Sequence, residues 1–306
     1  MIRDEKILIT GITGMVAEPL AGALAQDNEV WGVARFANPE ARIALEEAGV
    51  TTRALDLGAP DFSDLPADFT YVLHLGWMRA GLSELQAALR TNVEGPGLLF
   101  QHCRRAKATL VMSGMGVYSP HPDPWHAYTE TDPIGRAATA YAPTSPASKA
   151  GIEAVARFCA RAFDMPIVIA RLNTWMGGTR SYPAQIIRSV LAGEPIRVPH
   201  DPHPQTPIHA DDMIWQLEAL LDAAATPARI VNWCGDETLP IQDWARMAGE
   251  WSGMEPRFAI EAIPGAPPGS ASDPTLRQSI TGPSRVNFAD ALRRLSDDIA
   301  HQEEPA

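Results

Sequence analysis

Residues 6–17, KILITGITGMVA, carry the first chemistry that can be read from the chain. Ile7, Leu8 and Ile9 form a short apolar run suited to a strand buried on both faces, and the run ends directly in Thr10-Gly11-Ile12-Thr13-Gly14. Strand, tight glycine turn and helix, in that order, bring backbone N–H groups and the positive end of a helix to where a pyrophosphate can approach. Gly11 permits the turn, Gly14 the close approach, and Ala17 keeps the helix near the strand, while Thr13, Met15 and Val16 belong to the same candidate dinucleotide site. Two residues work against it: Glu18 adds negative charge, and Pro19 removes a donor from the helix. A second strand over 29–34, EVWGVA, is followed by Arg35. An acid at such a strand end binds the adenosine ribose hydroxyls, whereas an arginine accepts the extra ribose phosphate, so NADP is expected over NAD. The plainer reading of Arg35 is a surface residue opening a loop.

Composition narrows the class. The chain has 306 residues, 45% hydrophobic, with a formal charge of -12 that disfavours nucleic-acid binding. Arg104, Arg105 and Lys107 are the nearest thing to a basic cluster and read as a solvated helix face. The three cysteines, Cys103, Cys159 and Cys234, are odd in number and widely spaced, which argues for buried thiols and against disulfides or a zinc site. No apolar run reaches membrane-spanning length, and the first strand begins within a few residues of Met1, so a cytoplasmic protein is expected.

Further along, 39–48 is a helix pattern, 50–55 a strand ending in Asp56-Leu57, and 70–75 a strand leading into Gly76-Trp77. Four strands alternating with helices imply a parallel, doubly wound α/β sheet. Helical periodicity covers 82–106, with an interruption expected at Gly95-Pro96-Gly97, and a fifth strand at 109–112 runs into Ser113-Gly114. Residues 119–143 are a long loop, the kind that is usually functional. Ser145-Pro146 reads as an N-cap and first helical position, opening a helix to about Phe163. Strands at 166–170 and 229–233, helices at 184–192, 211–225 and 241–252, and a frayed tail from His301 complete the reading.

These pieces taken together resemble one family, the NAD-dependent epimerase/dehydratase group of extended short-chain dehydrogenases. TGITGMVA, the DL pair at 56, HLGW at 74, TNVEG at 91, LVMSGMGVYS at 110, SPASK at 145, ARLNTWMGG at 170 and IHADDM at 208 stand in family order over nearly the whole chain. The resemblance implies a Rossmann dinucleotide domain over 1–172, with 205–235 returning to it, and a smaller C-terminal α/β substrate lobe from 173–204 and 236–306. It adds Asp56, Leu57, Leu75, Gly76, Trp77, Asn92, Met112, Lys149, Leu172 and Asn173 to the cofactor site. Trp77, Gly114, Trp175, Asn173 and Gln205 are implied on the substrate side, with no metal. It also implies a homodimer through helices at 82–106 and 146–163.

The family's catalytic set is Ser or Thr, Tyr and Lys, in which the lysine lowers the tyrosine pKa and holds the nicotinamide ribose. Lys149 matches the lysine. The tyrosine position, four residues earlier, is Ser145, and the catalytic Ser/Thr position is Gly114, with Ser113 beside it. Either Tyr141 in YAPTSPASK is displaced but still in the site, or Tyr128 or His126 supplies the proton, or the usual hydride chemistry is lost. An arginine that clamps the substrate pyrophosphate in nucleotide-sugar members is Gln205 here, while Trp77, Trp125 and Trp175 suggest an apolar or ring-shaped substrate. The expected function is an NAD(P)-dependent oxidoreductase or epimerase-like enzyme acting at a hydroxyl or carbonyl carbon. In it Lys149 polarises a relay through Ser145, Ser113 or Tyr141. The alternatives are a non-catalytic dinucleotide-binding sensor and a non-redox enzyme on the same fold.

Overall fold

The computed structural model describes residues 2–135 and 143–303, and the chain divides into two compact units. The first comprises 2–117, 143–171 and 214–231; the second comprises 118–135, 172–213 and 232–303.

In the first unit the chain runs β1 (Lys6–Thr10), α1 (Ala17–Leu24), β2 (Glu29–Ala34), α2 (Pro39–Glu47), β3 (Thr51–Ala54) and β4 (Tyr71–His74). A continuous helical stretch follows: a short 3-10 turn, α3 (Leu85–Leu89), a π-helical turn at Arg90–Glu94, and α4 (Gly95–His102). Then come β5 (Ala108–Gly114), α5 (Ser145–Phe163) and β6 (Ile167–Leu172). With β11 (Arg229–Trp233) the strands form one seven-stranded sheet in the order β11-β6-β5-β4-β1-β2-β3. The pairs β1–β2, β1–β4, β2–β3 and β4–β5 are parallel. The order reverses between β1 and β4, the place where a doubly wound sheet opens a crevice for a ligand. Leu8, Val72, Val111 and Ile169 of the strands pack against Leu99 and Phe100 of α4 and Ile152 and Ala156 of α5.

Gly95-Pro96-Gly97 does not interrupt the helix, contrary to the sequence expectation. The wider π turn absorbs the proline, and the Gly95 amide donates to the Arg90 carbonyl five residues back. Gly95 is there for packing: a Cβ on it would stand 1.9 Å from the Leu57 carbonyl oxygen. At α5 the cap is Thr144 rather than Ser145, and the Thr144 hydroxyl donates to the Ala80 carbonyl at 2.9 Å instead of capping the helix. All three cysteines are free and buried, and burial pushes the thiols of Cys103 and Cys234 up to about 12.

The second unit holds β7 (Trp175–Met176), α6 (Tyr182–Leu191), β8 (Pro195–Val198), β9 (Pro204–Gln205) and β10 (Ile208–His209), from which α7 (Ala210–Asp222) departs. After β12 (Leu239–Pro240) come α8 (Ile241–Ser252), β13 (Arg257–Ile260), α9 (Thr275–Thr281) and α10 (Phe288–Glu303). Its core joins Ile186, Ile187 and Val190 of α6, Trp244 and Ala248 of α8, and Leu292, Leu295 and Ile299 of α10. The helix α10 extends to 303, so residues 301–303, expected in a frayed tail, are helical. No helix among the described residues is long and apolar enough to cross a membrane.

Candidate active site

The glycine turn has the shape its sequence requires. Gly11 adopts φ +64°, and a Cβ there would stand 2.4 Å from the Gly76 Cα, so the turn after β1 lies directly on the chain leaving β4. Gly14 donates to the Gly11 carbonyl, and Ala17 and Glu18 donate to Gly14. The amides of Thr13, Met15 and Val16 have no backbone acceptor among the described residues, and Val16 caps α1 without a side-chain bond. Three open N–H groups at the start of a helix, beside a cradle closed to any side chain, fit an anionic pyrophosphate. Arg35 is exposed directly after β2. Asp56 is also exposed, and its carboxylate accepts from the Gly58 amide at 2.8 Å, a local turn.

The loop after β4 is pinned at both ends. The Gly76 amide donates to the Thr10 hydroxyl at 3.1 Å, and that hydroxyl pairs with His74 Nδ1 at 2.9 Å. Asn92, in the π turn, accepts from the Met78 amide at 2.8 Å and donates to the Met78 carbonyl at 2.9 Å. Both ends of its amide are therefore engaged, and Asn92 positions the Leu75-Gly76-Trp77 segment. Burial, with the Lys149 charge adding to it, pushes His74 down to about 3, so its imidazole is neutral.

Lys149 lies on α5 one turn after Ser145. Its ammonium donates to the Met112 carbonyl at 3.1 Å and sits 3.8 Å from the Trp77 ring centroid. Burial pushes Lys149 down to about 7, opposed by the charge of Glu153. Glu153 itself forms a bidentate pair with Arg171, at 2.9 and 2.7 Å, and both are buried. Ser113, 2% exposed, donates its hydroxyl proton to Glu153 at 2.6 Å. That bond commits the Ser113 hydroxyl proton to Glu153 and ties β5 to α5. Glu153 and Arg171 had no assigned role in the sequence reading, although Glu153 follows Lys149 by one helical turn. Gly114 closes β5. Tyr141 lies outside the described residues.

In the second unit the side chains of Asn173 and Gln205 are already paired. Leu172 ends β6, and next to it Asn173 donates to the Ser270 carbonyl and the Ser272 hydroxyl, each at 2.7 Å, and accepts from the amides of Thr174 and Thr206. Both N–H groups of its side-chain amide are therefore engaged within the second unit. Gln205 accepts from the Thr174 hydroxyl at 3.0 Å and contacts His203 Nε2 at 3.0 Å. His203 Nδ1 faces the Pro268 carbonyl at 2.7 Å and must donate to it, so Nε2 is the acceptor and Gln205 the donor. The Tyr128 hydroxyl accepts from the His121 amide at 2.8 Å and is oriented to the Ser119 carbonyl at 3.2 Å, while His126 pairs with Asp132 at 2.8 Å. The Tyr128 hydroxyl and His126 Nε2 are thus engaged by neighbours in their own unit. Trp175 is buried with its indole N–H unpaired among the described residues, and Trp125 is exposed.

The comparisons with known proteins agree with this geometry. The NAD dependent epimerase/dehydratase family matches residues 7–234. No curated protein matches the chain. Among solved structures, UDP-glucuronic acid 4-epimerase from Bacillus cereus, in complex with UDP-glucuronic acid and NAD, is 22% identical with a TM-score of 0.82, covering 97% of this chain and 99% of that one. UDP-N-acetylglucosamine 4-epimerase from Methanobrevibacter ruminantium M1 is 18% identical with a TM-score of 0.83, covering 98% and 100%. UDP-glucose 4-epimerase from Thermus thermophilus, in complex with NAD, is 20% identical with a TM-score of 0.77, covering 96% and 99%. At these identities the likeness is one of fold. The family match, which spans most of the chain, carries more: this protein belongs to the NAD dependent epimerase/dehydratase family and is by class an NAD(P)-dependent, epimerase-like enzyme.

Proposed function

We propose that the protein acts at a hydroxyl or carbonyl carbon of a small, ring-shaped or sugar-like substrate, with NADP preferred over NAD. The observation that carries this reading is the retained lysine of the catalytic set, on α5 one turn from a hydroxyl at Ser145 and against the Met112 carbonyl. The open amides of Thr13, Met15 and Val16 would hold the pyrophosphate, and Arg35 the extra ribose phosphate. When bound, the dinucleotide supplies the hydride acceptor or donor. Lys149 holds the ribose and polarises Ser145, one turn earlier on the same helix. Gln205 offers no charge and is already paired, which favours an uncharged substrate over one that carries a pyrophosphate.

Calorimetric titration of NADP and NAD against the wild type and Arg35→Ala tests the cofactor side. The expected outcome is a loss of NADP affinity of about tenfold or more with little change for NAD. Equal losses for the two would sink the preference. A homodimer fits the exposed Leu98 on α4 and Phe158 on α5, 49% and 64% accessible, and light scattering showing a monomer at micromolar concentration would remove it. The free, buried thiols support placing the protein in the cytoplasm. A second reading, a dinucleotide-binding sensor without turnover, is favoured by the engagement of Ser113 by Glu153. A screen of sugars and simple carbonyl compounds, followed by nicotinamide absorbance, separates the two: binding without any turnover supports the sensor.

A further inference from the structure

The most unusual contact of the first unit is the one between Lys149 and Trp77. Where the resemblance places a phenol one turn before the lysine, this chain has Ser145, and the lysine ammonium instead lies on an indole face, 3.8 Å from the ring centroid. The platform is built rather than incidental. Trp77 is held from one side by the Gly76 amide on Thr10 and from the other by Asn92 on both polar groups of Met78. Thr144, at the start of α5, ties the same loop through Ala80, so the strand-end loop and the helix that carries Lys149 share a hydrogen bond at 2.9 Å.

Resting on the reading of the site as a hydride-transfer enzyme, we propose that Lys149 exchanges the substrate proton itself, and that Trp77 is the positioning residue that keeps its amine poised to do so. The neutral amine takes the proton of a substrate hydroxyl as that O–H bond breaks, becoming ammonium. The hydride from the same carbon goes to the oxidised dinucleotide, leaving a carbonyl, and in the reverse direction the ammonium returns the proton to the carbonyl oxygen as hydride arrives. In a family where lysine supports a tyrosine, serine at the tyrosine position then moves the acid–base role one residue along the relay without abolishing it.

The charged and titratable groups around Lys149 leave its protonation free to change. Glu153, on its own helix, is compensated by Arg171 of β6 and by the Ser113 hydroxyl of β5. His74 of β4 is neutral, pushed down to about 3 by burial and by Lys149 itself. The indole contributes opposing effects: its face attracts the ammonium, and its bulk keeps water off it. Burial drives Lys149 down to about 7 against the opposing charge of Glu153.

Lysine occurs only at positions 6, 107 and 149, so protein labelled with carbon-13 at the lysine ε position gives three side-chain signals, and Lys149→Met assigns the one in question. Lys107, which donates to the Tyr71 hydroxyl, is shifted upward, the direction opposite to Lys149, which separates the titrations. The expected result is that Lys149 titrates about two pH units or more below Lys107. Trp77→Ala, which admits water, raises that midpoint by about one unit or more, whereas Trp77→Phe, which still covers the amine, holds it in place. A Lys149 that titrates with the other lysines overturns the proposal, and a Trp77→Ala protein with an unmoved midpoint overturns the role of Trp77. Titrating NADP into the same samples keeps the two failures apart. Normal binding with an ordinary lysine midpoint leaves the proposed function standing and removes this inference. Absence of binding removes both.

Discussion

The two units treat their polar groups in opposite ways. At the glycine turn of the first unit, the amides of Thr13, Met15 and Val16 are left open at a helix start, and the shape around them is enforced by backbone lying on backbone. In the second unit, Asn173, Gln205, Tyr128 and Asn232 are tied to one another and to nearby main chain. Asn232, for example, accepts from the Tyr118 hydroxyl at 2.6 Å and donates to the Tyr128 carbonyl at 2.7 Å. Open donors wait for an anionic ligand, while satisfied ones hold a scaffold. The contrast explains why the cofactor class is legible in the first unit, whereas the side chains of Asn173 and Gln205 in the second are already bonded within the protein.

The sharpest way to break this contrast is Gly11→Ala. Its Cβ would meet the Gly76 backbone at 2.4 Å, with φ at +64°, and neither partner is a flexible side chain. We expect about 3 kcal/mol of lost stability in urea unfolding, together with loss of dinucleotide binding. A variant that folds and binds normally would show that the turn is not the cradle. Asn173→Ala should do the reverse. Removing a buried amide with four bonded partners is expected to cost about 2–3 kcal/mol while leaving dinucleotide affinity unchanged. A stable Asn173→Ala protein that binds NADP poorly would return Asn173 to the cofactor site.

Acid sensitivity probes the first unit differently. His74 is held near 3 when folded and has an ordinary value of 6.5, so the unfolded chain takes up a proton that the folded one refuses. Stability from this group is complete above pH 6.5 and is lost as the pH falls, at about 1.4 kcal/mol per unit, or about 2 kcal/mol by pH 5. Burial lowers His203 as well, adding in the same direction. Unfolding midpoints of wild type and His74→Asn between pH 7 and 5 measure the His74 share; parallel curves would mean that His74 is not buried in its neutral form.

How much was legible follows the range of the interactions. The parallel strands and the glycine turn show in the sequence because a buried strand is an unbroken apolar run and a left-handed turn needs glycine within a few residues of it. The helix α10 is equally legible, since Phe288, Ala291, Leu292, Leu295 and Ile299 recur at helical spacing, although it is absent from the expectations above. The pairing of Ser113 with Glu153, 40 residues on, and of Asn173 with Ser272, 99 residues on, leaves no local pattern. Each exists only once distant strands and loops are assembled. Two-residue strands such as β7 and β9 are too short for any period to register. The need for glycine at 95 comes from the Leu57 backbone, again a distant partner.

The smallest expected effect is the one that tests the second unit most closely. Gln205 is 8% exposed and links the Thr174 hydroxyl to His203, whose other nitrogen donates to Pro268. Gln205→Leu keeps the volume and removes both bonds. The Thr174 hydroxyl is only half-buried and can turn to water, so the penalty comes mainly from His203 Nε2, left as an acceptor without a donor. We expect about 1 kcal/mol of lost stability, unchanged dinucleotide affinity, and a His203 imidazole whose midpoint moves once Nε2 loses its amide partner. Imidazole NMR titration beside urea unfolding reads both. If His203 is unmoved and stability unchanged while binding of a sugar-like ligand is lost, Gln205 is a ligand residue after all, and the division between an open cofactor end and a self-satisfied second unit fails at the position where it was drawn most narrowly.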